Sequence, residues 1–249
     1  MCLIVLAVRT REDVPFVLAA NRDEAHARPT AAADWWPEHP DIFGGRDLEK
    51  GGSWLAMTKS GRIAAVTNHR RVPLESRGPS RGWLVRDFVL GDETARDYVE
   101  RRKHDGFHSF NLIVWDGHEA WALGDDGVSK NLGPGVHGLS NARVDDPWPK
   151  VTRTTAALEH ALAGPPDHMV GALFEALADR NGAPDADLPS TGVGLQLERV
   201  LAPPFIVSPV YGTRSTSVVV TRATEITFEE RSFDSSGART DVRAIRLQR

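Results

Sequence analysis

Cysteine is almost missing from this sequence. Cys2 is the only one in 249 residues, which excludes an internal disulfide framework and any cysteine-rich zinc site. A basic excess is missing too. Against 30 Lys and Arg stand 34 Asp and Glu, a net charge of -4, so there is no electrostatic case for binding nucleic acid or an anionic membrane. The apolar run from Leu3 to Val8 stops at Arg9, far too short for a membrane span, and has neither a basic n-region nor a small-residue cleavage site. A cytoplasmic location without a membrane span is expected.

Common chemical motifs fail as well. Gly133 to Gly138 matches G-x-G-x-x-G, but no predicted strand enters it and no helix opens from it, which argues against dinucleotide binding. Gly44-Gly45 and Gly51-Gly52 lack the Walker spacing, and no Ser sits in a G-x-S-x-G elbow. The nine histidines have no consistent ligand spacing. His104 and His108 are four apart, but Asp105-Gly106 between them opposes a helix, so no metal site is expected.

What is present fits one globular domain over residues 1–249, with 41% hydrophobic and 26% charged residues. Leu3 to Val8 reads as a strand buried on both faces, and Phe16 to Ala20 as its hairpin partner. Further strand patterns lie at 54–58, 63–67, 111–115, 119–123, 218–221 and 226–228. Ser80 is expected to cap a helix that buries Trp83, Leu84 and Phe88 and ends at Gly91. A second helix is expected from about Pro149 to Ala163, and a third carries Met169, Leu173, Phe174 and Leu177 on one face. Residues 181–209, rich in Gly, Pro and Asp, read as a long surface loop or a lid. Strands, then helices, then strands again indicate an α+β order rather than strict βαβ alternation.

Cys2 is the most informative residue. If the initiator Met is removed, Cys2 carries a thiol and a free α-amine, and an amine of that kind can act as a general base near neutral pH. A cysteine beside the start is often accidental; here it opens a buried strand, which ordinary chain ends seldom do. Asn21-Arg22-Asp23-Glu24 follows the second strand pattern and reads either as a solvated turn or as a polar cluster level with Cys2. Alternation sends Asn21 and Asp23 to one face and Arg22 to the other. A carboxylate there can orient the α-amine, with Arg22 steadying it. Asn68 and Asn141 end short apolar runs, where they serve as turn residues or as oxyanion donors. Arg214 is either a surface cation, a partner for Asp23 or a group for a substrate carboxylate.

Taken in order, Met1-Cys2, Asn21 to Glu24, Gly51 to Trp54, Thr67 to Arg70, Gly138 to Asn141, Pro147 to Lys150 and Tyr211 to Ser215 resemble the NRDE family, also called the transport and Golgi organisation 2 family. The resemblance spans nearly the whole chain. It implies a four-layer αββα sandwich of the N-terminal nucleophile hydrolase type, similar to choloylglycine hydrolases and penicillin V acylases. By that likeness Cys2 is the nucleophile, Asn68 and Asn141 form the oxyanion hole and Arg214 is a distal active-site arginine. Asp23 is then expected to orient Cys2, with Asn21 and Arg22 as expected substrate-binding residues. One departure stands out: those hydrolases carry Arg and Asp three apart, whereas Arg22 and Asp23 are adjacent. The implied activity is thiol amidohydrolysis or acyl transfer on a small N-acyl or acyl-thioester substrate, with no cofactor. The alternative is a non-catalytic carrier of haem or another amphipathic ligand, which the seven Trp favour.

Overall fold

A computed structural model describes residues 2–70, 78–107 and 109–249. Met1, whose removal is expected, and His108, the second of the two histidines four apart, therefore lie outside the described residues. In chain order the strands and helices are β1 (Cys2–Arg11), β2 (Val14–Ala25), β3 (Thr30–Trp36), β4 (His39–Asp47), β5 (Leu55–Thr58), β6 (Ile63–Asn68), α1 (Gly82–Leu90), α2 (Ala95–Arg102), β7 (Phe110–Trp115), β8 (Ala120–Gly124), β9 (Ser129–Leu132), β10 (Gly135–Leu139), α3 (Pro149–Ala163), α4 (Pro166–Leu177), α5 (Leu195–Leu201), β11 (Tyr211–Thr221), β12 (Glu225–Phe233) and β13 (Arg239–Gln248). They form an antiparallel six-stranded sheet, β10-β1-β2-β11-β12-β13, and an antiparallel seven-stranded sheet, β3-β4-β5-β6-β7-β8-β9.

Strand alternation sorts the apolar residues into three cores and so sets the layer order. Ile4, Leu6, Val8, Phe16 and Leu18 meet Leu55, Met57, Ile63 and Ile113 between the sheets. There Phe16 of β2 stacks on Trp115 of β7, ring centres 4.7 Å apart. Leu3, Val5, Val17 and Ala19 turn the other way and pack under α3 and α4 through Leu158, Met169, Leu173 and Phe174. On the second sheet Ala64, Leu112 and Val114 receive α1 and α2 through Leu84, Phe88 and Tyr98. The protein is thus α+β, an αββα sandwich. Each fully buried Leu or Phe in these cores stabilises it by roughly 1.5–3 kcal/mol.

Several expectations need correction. The Asn21 to Glu24 cluster does not follow β2; it lies inside it, because β1 and β11 pair with those residues and keep the strand going to Ala25. Trp83 is exposed, its indole N–H donating to the Lys50 carbonyl at 2.9 Å, while Leu84 and Phe88 are buried as expected. The helix begins one residue later than expected, with Arg81 rather than Ser80 as N-cap. Strands β3, β4, β9, β10 and β13 were not legible in the pattern. The 181–209 segment is partly ordered structure, carrying a short 3-10 turn at Asp185–Asp187 and α5. No helix among the described residues is long and apolar enough to cross a membrane.

Candidate active site

The register of the central hairpin decides what Cys2 can meet. Cys2 pairs with Arg22, so their side chains share the inter-sheet face with Ile4 and Ala20. Asp23 and Asn21 point to the helix side, where Leu3 and Val5 already lie. Asp23 therefore addresses the main-chain start of β1 rather than the Cys2 thiol. Ser140 fixes that start by donating its hydroxyl to the Cys2 carbonyl at 3.0 Å, and Thr67 in turn donates to the Ser140 carbonyl at 2.8 Å. These two bonds tie the end of β6 in one sheet to the ends of β1 and β10 in the other.

A cavity of about 480 Å³ opens at this point. Its polar wall holds Cys2, Arg22, Asp23, Asn68, Arg70 and Tyr211, and its apolar wall includes Trp54, Val66, Leu197, Val200 and Leu201. Burial pushes the Cys2 thiol up, and the Asp23 carboxylate adds to this, while a hydrogen bond from the Asp23 backbone and the Arg22 charge oppose it. Asp23 is itself pushed up by burial, against the charges of Lys150 and Arg70 and a 2.7 Å hydrogen bond from Thr213. Burial thus favours the neutral form of both groups.

The expected site residues are distributed unevenly. Cys2, Arg22, Asp23 and Asn68 line the cavity; Asn21, Asn141 and Arg214 do not. Asn21 is wholly buried, donating to the carbonyls of Leu177 and Pro204 at 2.8 and 2.9 Å and accepting from Thr216 at 2.6 Å. It satisfies an orphan carbonyl at the end of α4 and holds that helix to the sheet. Asn141 reaches the site through Asn68, donating to its side-chain oxygen at 3.0 Å. Arg214 occupies a bulge in β11, and one of its guanidinium nitrogens donates to the carbonyls of Ala25 and His26, both at 3.1 Å, rather than to Asp23. Arg22 does not grip Asp23 either. It lies over Trp54 at 4.3 Å, with the Glu24 carboxylate at 3.8 Å, and its Nη1 has no hydrogen-bond partner among the described residues.

Residue patterns had drawn no attention to the support behind this wall. Arg70 bonds Glu198 of α5 at 2.5 Å and the Asn141 side-chain oxygen at 3.3 Å, and it lies over Trp148. Lys150, in the first turn of α3, is buried and donates to the Leu201 carbonyl at 3.1 Å. Only the Thr67 to Arg70 and Pro147 to Lys150 motifs gave a signal here; Glu198 lies in a segment without periodicity. Among the described residues no group of His, Cys, Asp and Glu could hold a metal ion.

Two facing antiparallel sheets between helical layers, with a strand that starts at a cysteine in the inter-sheet cleft, have the fold of N-terminal nucleophile hydrolases. The chain is similar in fold to the Caenorhabditis elegans N-acylethanolamine-hydrolyzing acid amidase ortholog, with a TM-score of 0.50 and 9% identity over 88% of this chain and 92% of that one. It is similar also to the C2A mutant of the conjugated bile acid hydrolase from Clostridium perfringens, with a TM-score of 0.51 and 8% identity over 98% and 92% of the two chains. At such identity the likeness is one of fold alone. The chain belongs to the Transport and Golgi organisation 2 family, whose sequence model matches residues 1–235. The Bos taurus Transport and Golgi organization protein 2 homolog is 32% identical over 93% of this chain and 92% of its own length. The Homo sapiens homolog is 32% identical over 87% and 86%, and the Drosophila melanogaster protein 29% over 82% and 81%.

Proposed function

We propose that this chain is an acyl-transfer enzyme that uses Cys2 as an N-terminal nucleophile on a small N-acyl amine or acyl thioester. The observation that carries the reading is the shared cavity wall: a cysteine at the start of a buried strand, Asp23 and Asn68 beside it, and an apolar wall opposite. Once Met1 is removed, the Cys2 α-amine takes the thiol proton and the sulfur attacks the acyl carbonyl. Asn68 donates to the resulting oxyanion. The protonated amine then gives its proton to the leaving amine or thiol as the tetrahedral adduct collapses to a thioester on Cys2. Water, deprotonated by the same amine, releases the acid and restores the thiol. The unpartnered Arg22 nitrogen is a buried donor suited to a polar group of the substrate, and α5 supplies the surface for its apolar part.

The test pairs intact mass spectrometry with a panel of N-acyl amides and acyl thioesters. Wild-type protein should lack Met1, gain one acyl group on Cys2 and lose it again with turnover; Cys2→Ala should fold and do neither. Turnover that survives in Cys2→Ala, or a retained Met1 in active protein, overturns the mechanism.

The apolar wall also supports a second reading, reversible carriage of haem or another amphipathic ligand. Among the described residues no His or Met lines the cavity, and Cys2 is there the soft iron ligand in its wall. Stoichiometric haem binding that Cys2→Ala abolishes, with no acyl adduct across the panel, would establish that reading instead.

A further inference from the structure

Helix α5 has two roles in the wall of the site. Leu197, Val200 and Leu201, spaced three and four apart on one stripe, line the cavity. Leu197 and Val200 are nevertheless 44% and 47% exposed, so they offer apolar surface that an apolar ligand would cover. Glu198, between them in sequence, does not line the cavity and is buried. One of its carboxylate oxygens accepts from the Thr191 amide and hydroxyl at 3.0 and 2.6 Å, and the other from Arg70 Nη1 at 2.5 Å.

Arg70 carries the connection onward. Its Nη2 donates to the Asn141 side-chain oxygen at 3.3 Å, and its backbone amide donates to the Asn141 carbonyl at 2.7 Å. A guanidinium is a rigid planar fork, so the acceptors on its two tips cannot move independently. Asn141 in turn donates to the Asn68 carbonyl and side-chain oxygen at 2.9 and 3.0 Å. Glu198, Arg70 and Asn141 are all buried, where little water competes for these bonds, and Asn68 stands in the cavity wall with Cys2. An unbroken line of hydrogen bonds thus runs from the helix that forms the apolar wall to a residue of the polar wall.

We propose that Glu198 is a positioning residue through which the acyl chain of the substrate sets the placement of Asn68, so that the Cys2 site works faster on long-chain acyl donors than on short ones. Glu198 touches no reacting atom. A chain laid on Leu197 and Val200 seats α5 against the sandwich; Glu198 passes that movement to Arg70, Arg70 to Asn141 and Asn141 to Asn68. The bond from Arg70 Nη2 to Asn141, at 3.3 Å the longest of the line, is the one that seating tightens. Binding energy from a part of the substrate remote from the reacting carbonyl thereby goes into the chemical step and not into affinity alone. The inference rests on the acyl-transfer reading for its effect on rate but not for the coupling itself.

The test uses the full chain and two S-acyl N-acetylcysteamine thioesters, acetyl and octanoyl, with acylation of Cys2 followed by intact mass. At saturating donor the wild type should acylate about tenfold faster with octanoyl than with acetyl. In Glu198→Ala that ratio should fall to about one, while octanoyl keeps its lower half-saturating concentration because Leu197 and Val200 remain. Loss of a merely structural contact would slow both donors alike and leave the ratio unmoved. That result, or a wild-type ratio near one, overturns the proposal. A second arm stands even if Glu198→Ala does not fold. In Cys2→Ala, where no adduct forms, the side-chain amide NMR signals of Asn141, which does not line the cavity, should shift further with saturating octanoyl donor than with acetyl. Equal shifts, or none with octanoyl, overturn the coupling. Unequal shifts in a protein whose wild type never forms an adduct would reject the acyl-transfer reading and leave the coupling standing; adduct formation with equal rates and equal shifts would do the reverse.

Discussion

Asn141 donates its side-chain amide twice to Asn68, to the backbone carbonyl at 2.9 Å and to the side-chain oxygen at 3.0 Å. The two asparagines come from different sheets, one after β10 and one at the end of β6. Asn141 is wholly buried while Asn68 is half-buried at the cavity, so one stands behind the wall and the other is part of it.

The pair should separate stability from chemistry. Asn68→Ala should slow acylation of Cys2 by about 10²–10³-fold, the usual cost of one oxyanion donor, with little change in unfolding free energy. Asn141→Ala should lose similar rate because Asn68 is released. It should also destabilise the protein by about 1–3 kcal/mol, since Arg70 and Asn68 lose a buried partner. Urea melts beside adduct kinetics check both; equal stabilities would show that Asn141 does not hold Asn68.

Glu198→Ala should cost about 3–5 kcal/mol, because it removes the carboxylate bonded to the buried Arg70 guanidinium. Glu198 also accepts from the Thr191 amide and hydroxyl at 3.0 and 2.6 Å, so residues 181–194 should become more open to limited proteolysis. Unchanged cleavage in that segment would mean that the ion pair does not fasten α5.

Glu230 is a carboxylate inside the sandwich, accepting from the Ala33 amide at 2.7 Å and the Ser217 hydroxyl at 3.0 Å. Burial pushes it up despite those bonds. A carboxyl that binds its proton more tightly folded than unfolded stabilises the fold most below its ordinary value of 4.5, and that contribution is lost as pH rises through the folded midpoint. Glu230→Gln should therefore flatten the decline in stability above that pH, and denaturant titrations at several pH values test it. An identical pH profile in the variant would assign the decline to other groups.

Gly52 lies so close to α1 that an added Cβ would sit 2.5 Å from the Gly82 carbonyl carbon and 2.7 Å from its Cα. Backbone cannot step aside as a flexible side chain can. Gly52→Ala should destabilise by about 1–3 kcal/mol and widen the cavity at Ser53 and Gly82. Gly138→Ala, blocked instead by Val151 and Thr155 side chains at 2.4 and 2.7 Å, should cost less because those methyl groups can turn. Thermal melts of the two variants give the order.

By itself the sequence determined the parts whose cause is local. The unbroken apolar run at β1, the helical stripes of α3 and α4 and the alternation that puts Asn21 and Asp23 on one face and Arg22 on the other all follow from side-chain period; the register that sets Cys2 beside Arg22 does not. The ordered series of short motifs carried the family and hence the αββα fold. Tertiary structure decided what those periods cannot encode. Asn21 to Glu24 look like a turn until β11 supplies Thr213 and Thr216 across nearly two hundred residues of chain, which lets polar groups continue a buried strand. Arg214 looks free until a bulge in β11 turns it onto the carbonyls of Ala25 and His26. Lys150 and Glu198 look like ordinary surface charges, because burial is a property of what packs over a residue. Only when α3 and α5 close over the sheet does either lose its water and acquire a fixed partner.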